Sequence, residues 1–199
     1  MNLKTSYIMT NTAIIIGNGK SREPINLNSL VGKGTIYGCN ALYRDFDGWD
    51  YLVAIDDKMI DEIKTTSKRM PGQVIFPPEE ERYEHPEYSP MRRRSNAGMN
   101  AMIAAVANGA KTVICLGFDF ILAGKHSTDN MYEGSKCYGP ETAANHDDNY
   151  HRLRYLEWFA NKFNLIQFVF VIPDDAQVKP IEAANIVGLR MSKFVNKTK

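Results

Sequence analysis

The sequence predicts an α/β fold: a doubly wound, mostly parallel sheet covered on both faces by helices. Short, almost continuously apolar runs alternate with helical segments along the 199 residues, and such runs are typical of strands buried on both faces. Several of these runs end at glycine or at a small polar residue. In parallel sheets, ligands bind beyond the carboxyl ends of the strands, so these endings mark the candidate site.

The predicted strands and helices follow from the apolar runs and from the residues that end them. β-Branched and aromatic residues dominate the strand runs, whereas the helix at 96–108 is rich in alanine and methionine and ends at Gly109. The strands are predicted at 14–16, 35–37, 51–55, 74–76, 112–116 and 167–172. The helices are predicted at 42–46, 58–68, 96–108 and 148–163, with a last one around 181–191.

A long polar segment at about 124–146 interrupts this alternation. It has few aliphatic residues and many of Gly, Ser, Thr, Asn and Tyr. Loops of this length inside a compact domain are more often lids over a site than plain connectors. Tyr132 and Tyr138 could close over a ligand or only pack the lid. We therefore predict one domain over residues 1–199, with this segment as a lid.

The composition excludes several classes of function. Lysine plus arginine number 24 against 23 for aspartate plus glutamate, a net charge of +1 that offers no general attraction for nucleic acid or an acidic membrane. Three widely spaced cysteines without a CxxC pair argue against a zinc site and favour a reducing, cytoplasmic location. No stretch approaches the roughly 18 apolar residues that span a bilayer, so no transmembrane segment is predicted.

The first strand ends in a turn of the kind that binds phosphates or nucleotides. Gly17, Asn18 and Gly19 follow the first apolar run directly, and Ser21 comes two residues later. Glycine lets the backbone turn sharply and leaves no side chain between amide groups and a ligand. The third glycine of the dinucleotide motif is replaced by Arg22, so a plain tight turn is the alternative.

Polar residues also follow other strands and begin the alanine-rich helix. Asn40 follows the second strand, and Asp119 follows the strand at 112–116. Ser95, Asn96 and Gly98 begin the helix, where a capping side chain and free amides attract an anion. A carboxamide can donate and accept hydrogen bonds without charge, although turn formation and capping alone also suit these residues. The carboxyl ends of parallel strands share one edge of the sheet, so we expect these residues beside the glycine turn.

A catalytic base and a metal site each have a candidate. His146 lies at the end of the lid and just before a helix, where a histidine can take a proton from an attacking hydroxyl. His151 is the rival base. Asp56 and Asp57 follow the third strand and could hold Mg²⁺ between phosphates, or could cap the helix that follows.

The order of these motifs resembles the bacterial CMP-sialic-acid-dependent sialyltransferase family of lipo-oligosaccharide synthesis. The resemblance covers most of the chain, from Ile14 to about Ala176. It is carried by Ile15-Ile16-Gly17-Asn18-Gly19-Lys20-Ser21, Cys39-Asn40 with Tyr43, Ser95-Asn96-Ala97-Gly98, Gly109-Ala110-Lys111, Gly117-Phe118-Asp119-Phe120 and a histidine upstream of Leu156-Glu157. It implies a single Rossmann-like domain with a lid that folds over the donor.

The resemblance also implies roles for individual residues. The glycine turn and Asn40 would contact the cytidine nucleotide, and segment 95–98 would correspond to the family's Ser/Thr-Gly segment before the long helix. Tyr132 and Tyr138 would correspond to the lid tyrosines that hold the phosphate, and His146 to the base. The same strand and turn pattern also resembles proteins related to archaeal hydroxymethylpterin pyrophosphokinases.

Three functions follow as hypotheses. The first is a sialyltransferase-like glycosyltransferase that moves a sugar from a CMP-activated donor to a hydroxyl of a glycan or small-molecule acceptor, with inversion. It would need no obligatory cofactor, because tyrosines and helix amides can hold the leaving phosphate. The alternatives are a Mg²⁺-dependent pyrophosphokinase that uses ATP and a non-catalytic nucleotide-binding protein of the same fold. Related enzymes assemble as oligomers, which makes a homo-oligomer an option.

Overall fold

The protein is a parallel α/β structure. The computed structural model describes residues 11–83 and 95–198. Within these residues, seven strands form one sheet: β1 (Thr12–Ile16), β2 (Thr35–Cys39), β3 (Tyr51–Val53), β4 (Gln73–Ile75), β5 (Thr112–Leu116), β6 (Gln167–Ile172) and β7 (Ile186–Arg190). Their order in the sheet is β4-β3-β2-β1-β5-β6-β7, and the pairings between them are all parallel. The predicted fold class is confirmed.

The strand order reverses at β1, which pairs with β2 on one side and with β5 on the other. The chain first adds β2, β3 and β4 outward from β1, and later adds β5, β6 and β7 in the opposite direction. Connections that leave β1 and β5 therefore diverge, and they open a crevice at the carboxyl ends of these two strands. This is the usual place for a ligand in an open parallel sheet.

Helices cover both faces of the sheet, as predicted. They are α1 (Asp57–Thr65), α2 (Ala97–Ala107), α3 (His146–Lys162) and α4 (Met191–Thr198). Along β1, Ala13 and Ile15 belong to the core that contains α2 and α3, whereas Ile14 and Ile16 belong to the core that contains α1 and α4. Burial on both faces explains why the strands are continuously apolar rather than alternating.

Helix α3 begins two residues earlier than the sequence predicted because Asn145 caps it. The Asn145 side chain accepts a hydrogen bond from the Asp148 amide at 2.8 Å, and the Asp148 side chain accepts one from the Asn145 amide at 3.4 Å. This reciprocal pair satisfies two amides at the start of the helix. His146 is consequently the first residue of α3 rather than the end of the lid.

The helix predicted around 181–191 is wrong, because this segment contains β7 and is followed by α4. Asn185 donates hydrogen bonds to the carbonyl oxygens of Ala160, Phe163 and Ile166 at 3.0, 3.1 and 2.8 Å. These bonds tie the start of β7 to the end of α3 and leave β7 parallel to β6 at the sheet edge. β7 is only partly buried at this edge, and its short apolar run is interrupted by Gly188 and ends at Arg190.

None of the helices in the described residues is both long enough and apolar enough to cross a membrane. Cys39, Cys115 and Cys137 carry free thiols, and the first two are buried. His85 and the three consecutive arginines at 92–94 lie outside the described residues.

Candidate functional site

A cavity of about 530 Å³ opens at the carboxyl ends of β1, β2, β3 and β5. Its size is within the usual range for small-molecule sites. Segments that lie far apart in the sequence meet in its wall, as the strand endings predicted. Nine of the predicted site residues line it: Gly17, Asn18, Gly19, Asn40, Ser95, Asn96, Gly98, Asp119 and Tyr138. Ser21, Tyr132 and His146 are not among the lining residues.

The glycine turn holds two chain segments in close contact. The Gly17 amide donates to the Leu116 carbonyl at 2.8 Å, and the Gly19 amide donates to the Gly117 carbonyl at 3.0 Å. A Cβ on Gly17 would lie 2.7 Å from the Gly117 carbonyl oxygen, closer than real contacts allow. Gly117 itself has a φ of 65°. Glycine is therefore required because two backbones touch at the crevice.

Ser21 and Asp119 bind each other across this turn. The Ser21 amide donates to Asp119 Oδ2 at 3.0 Å, and its hydroxyl donates to Oδ1. Burial raises the pKa of Asp119, and the hydrogen bonds from Ser21 oppose that rise. The amides of Gly17, Gly19 and Ser21 thus all have partners within the protein, so these three do not form an open cradle for a phosphate.

Asn18 presents the side chain of the turn to the cavity. Its Nδ2 donates to the Tyr138 hydroxyl at 3.0 Å. Its Oδ1 is buried and has no hydrogen-bond partner among the described residues. A buried acceptor without a partner costs free energy, on the order of 1–3 kcal/mol, unless a ligand or water supplies a donor. This buried oxygen without a partner is the physical reason to expect that Asn18 contacts a ligand.

Asn40 is held in an unusual backbone conformation beside Asn18. Its φ of 48° lies in the left-handed region, which asparagine tolerates better than most residues. Its Oδ1 accepts from the Ile55 amide at 3.3 Å, and its Nδ2 donates to Asp56 Oδ2 at 2.7 Å. The carboxamide therefore connects the ends of β2 and β3 at the cavity wall.

The N-terminus of α2 forms another part of the wall. Asn96 caps this helix by accepting from the Met99 amide at 2.9 Å, and Ser95 is only 2% exposed. Gly98 lies against Phe118, whose ring atom would be 2.8 Å from a Cβ at that position. The first amides of a helix have no partner within it and carry partial positive charge, so this end suits an anion.

The segment at about 124–146, which the sequence predicts to be a lid, packs against the glycine turn. Gly19 forms a β-bridge with Asn130, and the Met131 amide donates to the Asn18 carbonyl at 2.8 Å. Residues 127–130, 133–134, 138–140 and 142–144 line the cavity. This segment therefore supplies much of the wall, and backbone contacts attach it to the glycine turn that follows β1.

The two lid tyrosines have different surroundings. Tyr138 lines the cavity beside Asn18, and burial raises its pKa, so its hydroxyl stays protonated near neutral pH. Tyr132 lies away from the lining: its hydroxyl donates to Asp45 at 2.7 Å and accepts from Arg22 at 3.1 Å. Tyr138 therefore belongs to the cavity wall, whereas Tyr132 attaches the lid to Arg22 and Asp45.

An arginine holds the outer side of the lid. Arg44 donates to Glu62 Oε1 at 2.9 and 2.6 Å, to the Ser135 hydroxyl at 2.9 Å and to the Lys136 carbonyl at 2.8 Å. Glu62 also accepts from the Tyr43 hydroxyl. Burial alone would raise the pKa of Glu62, but the hydrogen bonds from Tyr43 and Arg44 hold it below its ordinary value. Arg44 and Glu62 thus clamp the lid to α1.

We expect Glu62→Gln to lower the free energy of unfolding by about 1.5–3 kcal/mol at neutral pH, because it removes charged hydrogen bonds from a largely buried group. A depressed folded-state pKa contributes stability above the unfolded pKa, about 4.3, and loses it as pH falls through the folded value. The difference between wild type and variant should therefore shrink below about pH 4. Urea unfolding at several pH values measures it. A difference that stays constant down to pH 2 would contradict the charged clamp.

The described histidines lie outside the cavity lining. His146 is exposed at the start of α3, and His151 lies one turn further, with its Nε2 3.6 Å from Asp147. His126 contacts Asp129 through Nδ1 at 2.7 Å, and its side chain is 70% exposed. His146 nevertheless follows Ala144, a lining residue, by only two positions. Its catalytic role stays a prediction.

Sequence reasoning missed Arg152, which lines the cavity from α3. Its guanidinium donates to Asn149 Oδ1 at 3.1 Å. Asn149 is fully buried and donates in turn to the Ser127 carbonyl at 2.9 Å, so the lid and α3 orient the arginine together. The signal in the sequence was periodicity: 149 and 152 lie on the same side of α3 as the buried Leu153 and Leu156.

The charges of the lining are unevenly distributed. Among the described lining residues, Arg152 is the only lysine, arginine or histidine, whereas the acidic ones are Asp56, Asp119, Asp129 and Glu133. Within the described part of the chain, no group of three or more His, Cys, Asp or Glu side chains could hold a metal ion. An anionic ligand group would find its most favourable positions near Arg152 and the N-terminus of α2.

No family model matches this sequence, and no curated protein matches it. Among solved structures, a match is found to the crystal structure of the sialyltransferase CST-II in complex with a trisaccharide acceptor and CMP. The two chains are 15% identical with a TM-score of 0.46, and the match covers 94% of this chain and 98% of the other. At this identity and TM-score, the match says nothing about the chemistry of the site. That chemistry depends on the residues of this chain.

Proposed function

We propose that the protein is a glycosyltransferase that binds a CMP-activated sugar in this cavity and transfers the sugar to a hydroxyl acceptor with inversion. One observation supports this proposal: nine of the predicted residues line one cavity, and this cavity lies where the strand order reverses. The motif order that resembles CMP-sialic-acid-dependent sialyltransferases supplies the choice of nucleotide and of reaction.

The charges suggest how such a donor would lie. Its phosphate would sit between the N-terminus of α2 and Arg152, where partial and full positive charges face the cavity. The leaving phosphate would be stabilised there without a metal ion. The nucleoside would extend toward Asn18 and Asn40, whose carboxamides offer hydrogen bonds without charge.

The acceptor would enter at the lid residues Thr142–Ala144, and His146 would remove the proton from its hydroxyl. Support for this step is the position of His146 beside the lining and its exposure to incoming molecules. An alternative is a nucleotide-binding protein without turnover, which is favoured by the absence of histidine among the described lining residues.

Titration calorimetry with CMP, UMP, AMP and GMP tests the proposed function. We expect CMP to bind about tenfold more tightly than the others, the effect of one hydrogen bond to a base edge. His146→Ala should leave CMP affinity unchanged and slow sugar transfer by about 10²–10⁴-fold, with His151→Ala as the control. Equal affinity for the four nucleotides would overturn the cytidine assignment, and CMP binding without measurable transfer by wild type would favour the binding protein.

A further inference from the structure

Asp56 occupies the N-cap position of α1 but does not cap the helix. An aspartate at this position normally accepts a hydrogen bond from an amide in the first turn. Asp56 has the extended backbone of an N-cap, with φ −82° and ψ 129°, yet its side chain makes no capping hydrogen bond. Its carboxylate instead lines the cavity at the end of β3. The usual structural explanation for an aspartate before a helix therefore does not apply here.

Two donors hold the carboxylate in this orientation. Asn40 Nδ2 donates to Oδ2 at 2.7 Å, and the Tyr83 hydroxyl donates to Oδ1 at 3.0 Å. Asn40 is 7% exposed and has the left-handed φ described above. Each carboxylate oxygen can accept two hydrogen bonds, so both oxygens keep acceptor capacity beyond these two contacts. Asp56 is thus a preorganised acceptor in the cavity wall.

Asp57 behaves differently, although it is the adjacent residue in the sequence. Its side chain is 82% exposed and accepts from Arg82 at 2.6 Å, and it does not line the cavity. The two acids therefore do not face the ligand space together. This difference makes Asp57 a matched control for Asp56.

We infer that Asp56 is a specificity-determining residue that accepts hydrogen bonds from the vicinal hydroxyls of the ligand's ribose. This inference rests on the proposed function, since it takes a nucleotide as the ligand. A carboxylate repels a phosphate, and the positive groups of the wall lie at Arg152 and at the N-terminus of α2. Because the carboxylate repels the phosphate and its oxygens accept hydrogen bonds, the group of the nucleotide that contacts Asp56 is a neutral donor. A ribose diol fits a carboxylate at a strand end, as in dinucleotide-binding folds.

The experiment compares CMP with 2′,3′-dideoxy-CMP on wild type and on Asp56→Asn by titration calorimetry. On wild type, we expect the dideoxy nucleotide to bind about tenfold more weakly, because hydrogen bonds to a charged acceptor are lost. On Asp56→Asn, we expect CMP to lose most of this advantage and the two nucleotides to differ by less than about threefold. Asp57→Asn should keep the wild-type preference. Thermal unfolding of each variant shows whether it is folded.

Tyr83→Phe separates orientation from recognition. It removes one hydrogen bond that holds Asp56 but leaves the carboxylate in place, so most of the ribose preference should persist. If Asp56 had a purely structural role, Asp56→Asn would weaken the binding of both nucleotides equally, and that result would overturn the inference. An undiminished ribose preference in Asp56→Asn would also overturn it. If a chelator removed CMP binding in wild type but had no effect on Asp56→Asn, a cation site at Asp56 would replace the ribose assignment.

Failure of the proposed function gives a different result. If wild type shows no preference for cytidine, the same comparison is made with AMP and 2′,3′-dideoxy-AMP, and the dependence of ribose preference on Asp56 still decides the inference. The Asp56 carboxylate could also accept a hydrogen bond from an amino group of the base. In that case deoxygenation of the ribose would have no effect while exchange of CMP for UMP would, and the ribose assignment would be wrong. Absence of binding by every nucleotide overturns both proposals.

Discussion

Arg152→Gln is expected to weaken CMP binding by about tenfold to a hundredfold, because charged hydrogen bonds to a phosphate contribute about 1.5–3 kcal/mol. Arg152 is the only basic residue among the described lining residues, so no second described side chain of the wall can replace its charge. Glutamine keeps part of the length and some hydrogen-bonding capacity but removes the charge. Titration calorimetry with CMP at low and at moderate salt measures the loss, which should be larger at low salt.

Arg154→Gln is the matched control for this experiment. Arg154 is on the same helix, pairs with Glu157 at 2.8 Å and does not line the cavity. Its replacement should leave CMP affinity within about twofold of wild type. Arg152→Lys should recover part of the affinity, because it restores the charge without the planar fork of donors. If Arg152→Gln bound CMP as tightly as Arg154→Gln, the position proposed for the phosphate would be wrong.

The location of the cavity could be predicted from the sequence because parallel strands impose it. The runs before Asn18, Asn40 and Asp119 are apolar and short, which indicates strands buried on both faces. Once the strands are parallel, the residues that follow them share one edge of the sheet, whatever their separation in the chain. All three residues line the cavity, as do the first residues of α2.

Pairing between distant side chains could not be predicted in the same way. Ser21 and Asp119 are 98 positions apart, and both are plausible ligand contacts when each is taken alone. Only the approach of β1 and β5 shows that they satisfy each other. Arg152 was missed because a charged residue in an amphipathic helix usually faces solvent. Its orientation depends on the buried Asn149 and on the contact of Asn149 with Ser127 in the lid.

The glycine turn shows how one motif can be located from the sequence while its cause stays open. The sequence left two explanations for Gly17 and Gly19, a turn that leaves room for a phosphate and a plain tight turn. In the structure, the glycines leave room for the protein's own backbone at 117 and for the Asp119 carboxylate, which a Cβ on Gly19 would overlap. Close packing within the fold and contact with a ligand can both require glycine at the same position. A mutation can measure the packing requirement without any ligand.

Gly17→Ala is therefore expected to lower the free energy of unfolding by about 1–3 kcal/mol, the usual cost of forcing atoms into a closely packed region. Its Cβ would lie 2.7 Å from the Gly117 carbonyl oxygen and 3.1 Å from that of Leu116. Both are backbone atoms paired across β1 and β5, so neither can move without disturbing the strand ends that carry the site. Urea unfolding without ligand measures the loss.

The control is Gly188→Ala in β7, where a Cβ would meet only the flexible end of Ile172 at 3.3 Å. There we expect a change within about 0.5 kcal/mol, because a small shift of one side chain removes the contact. The comparison keeps the chemical change constant and varies only what surrounds it. Equal stability of the two variants would mean that the β1 and β5 ends separate easily. In that case the crevice between them would be a flexible opening rather than a rigid wall for a nucleotide.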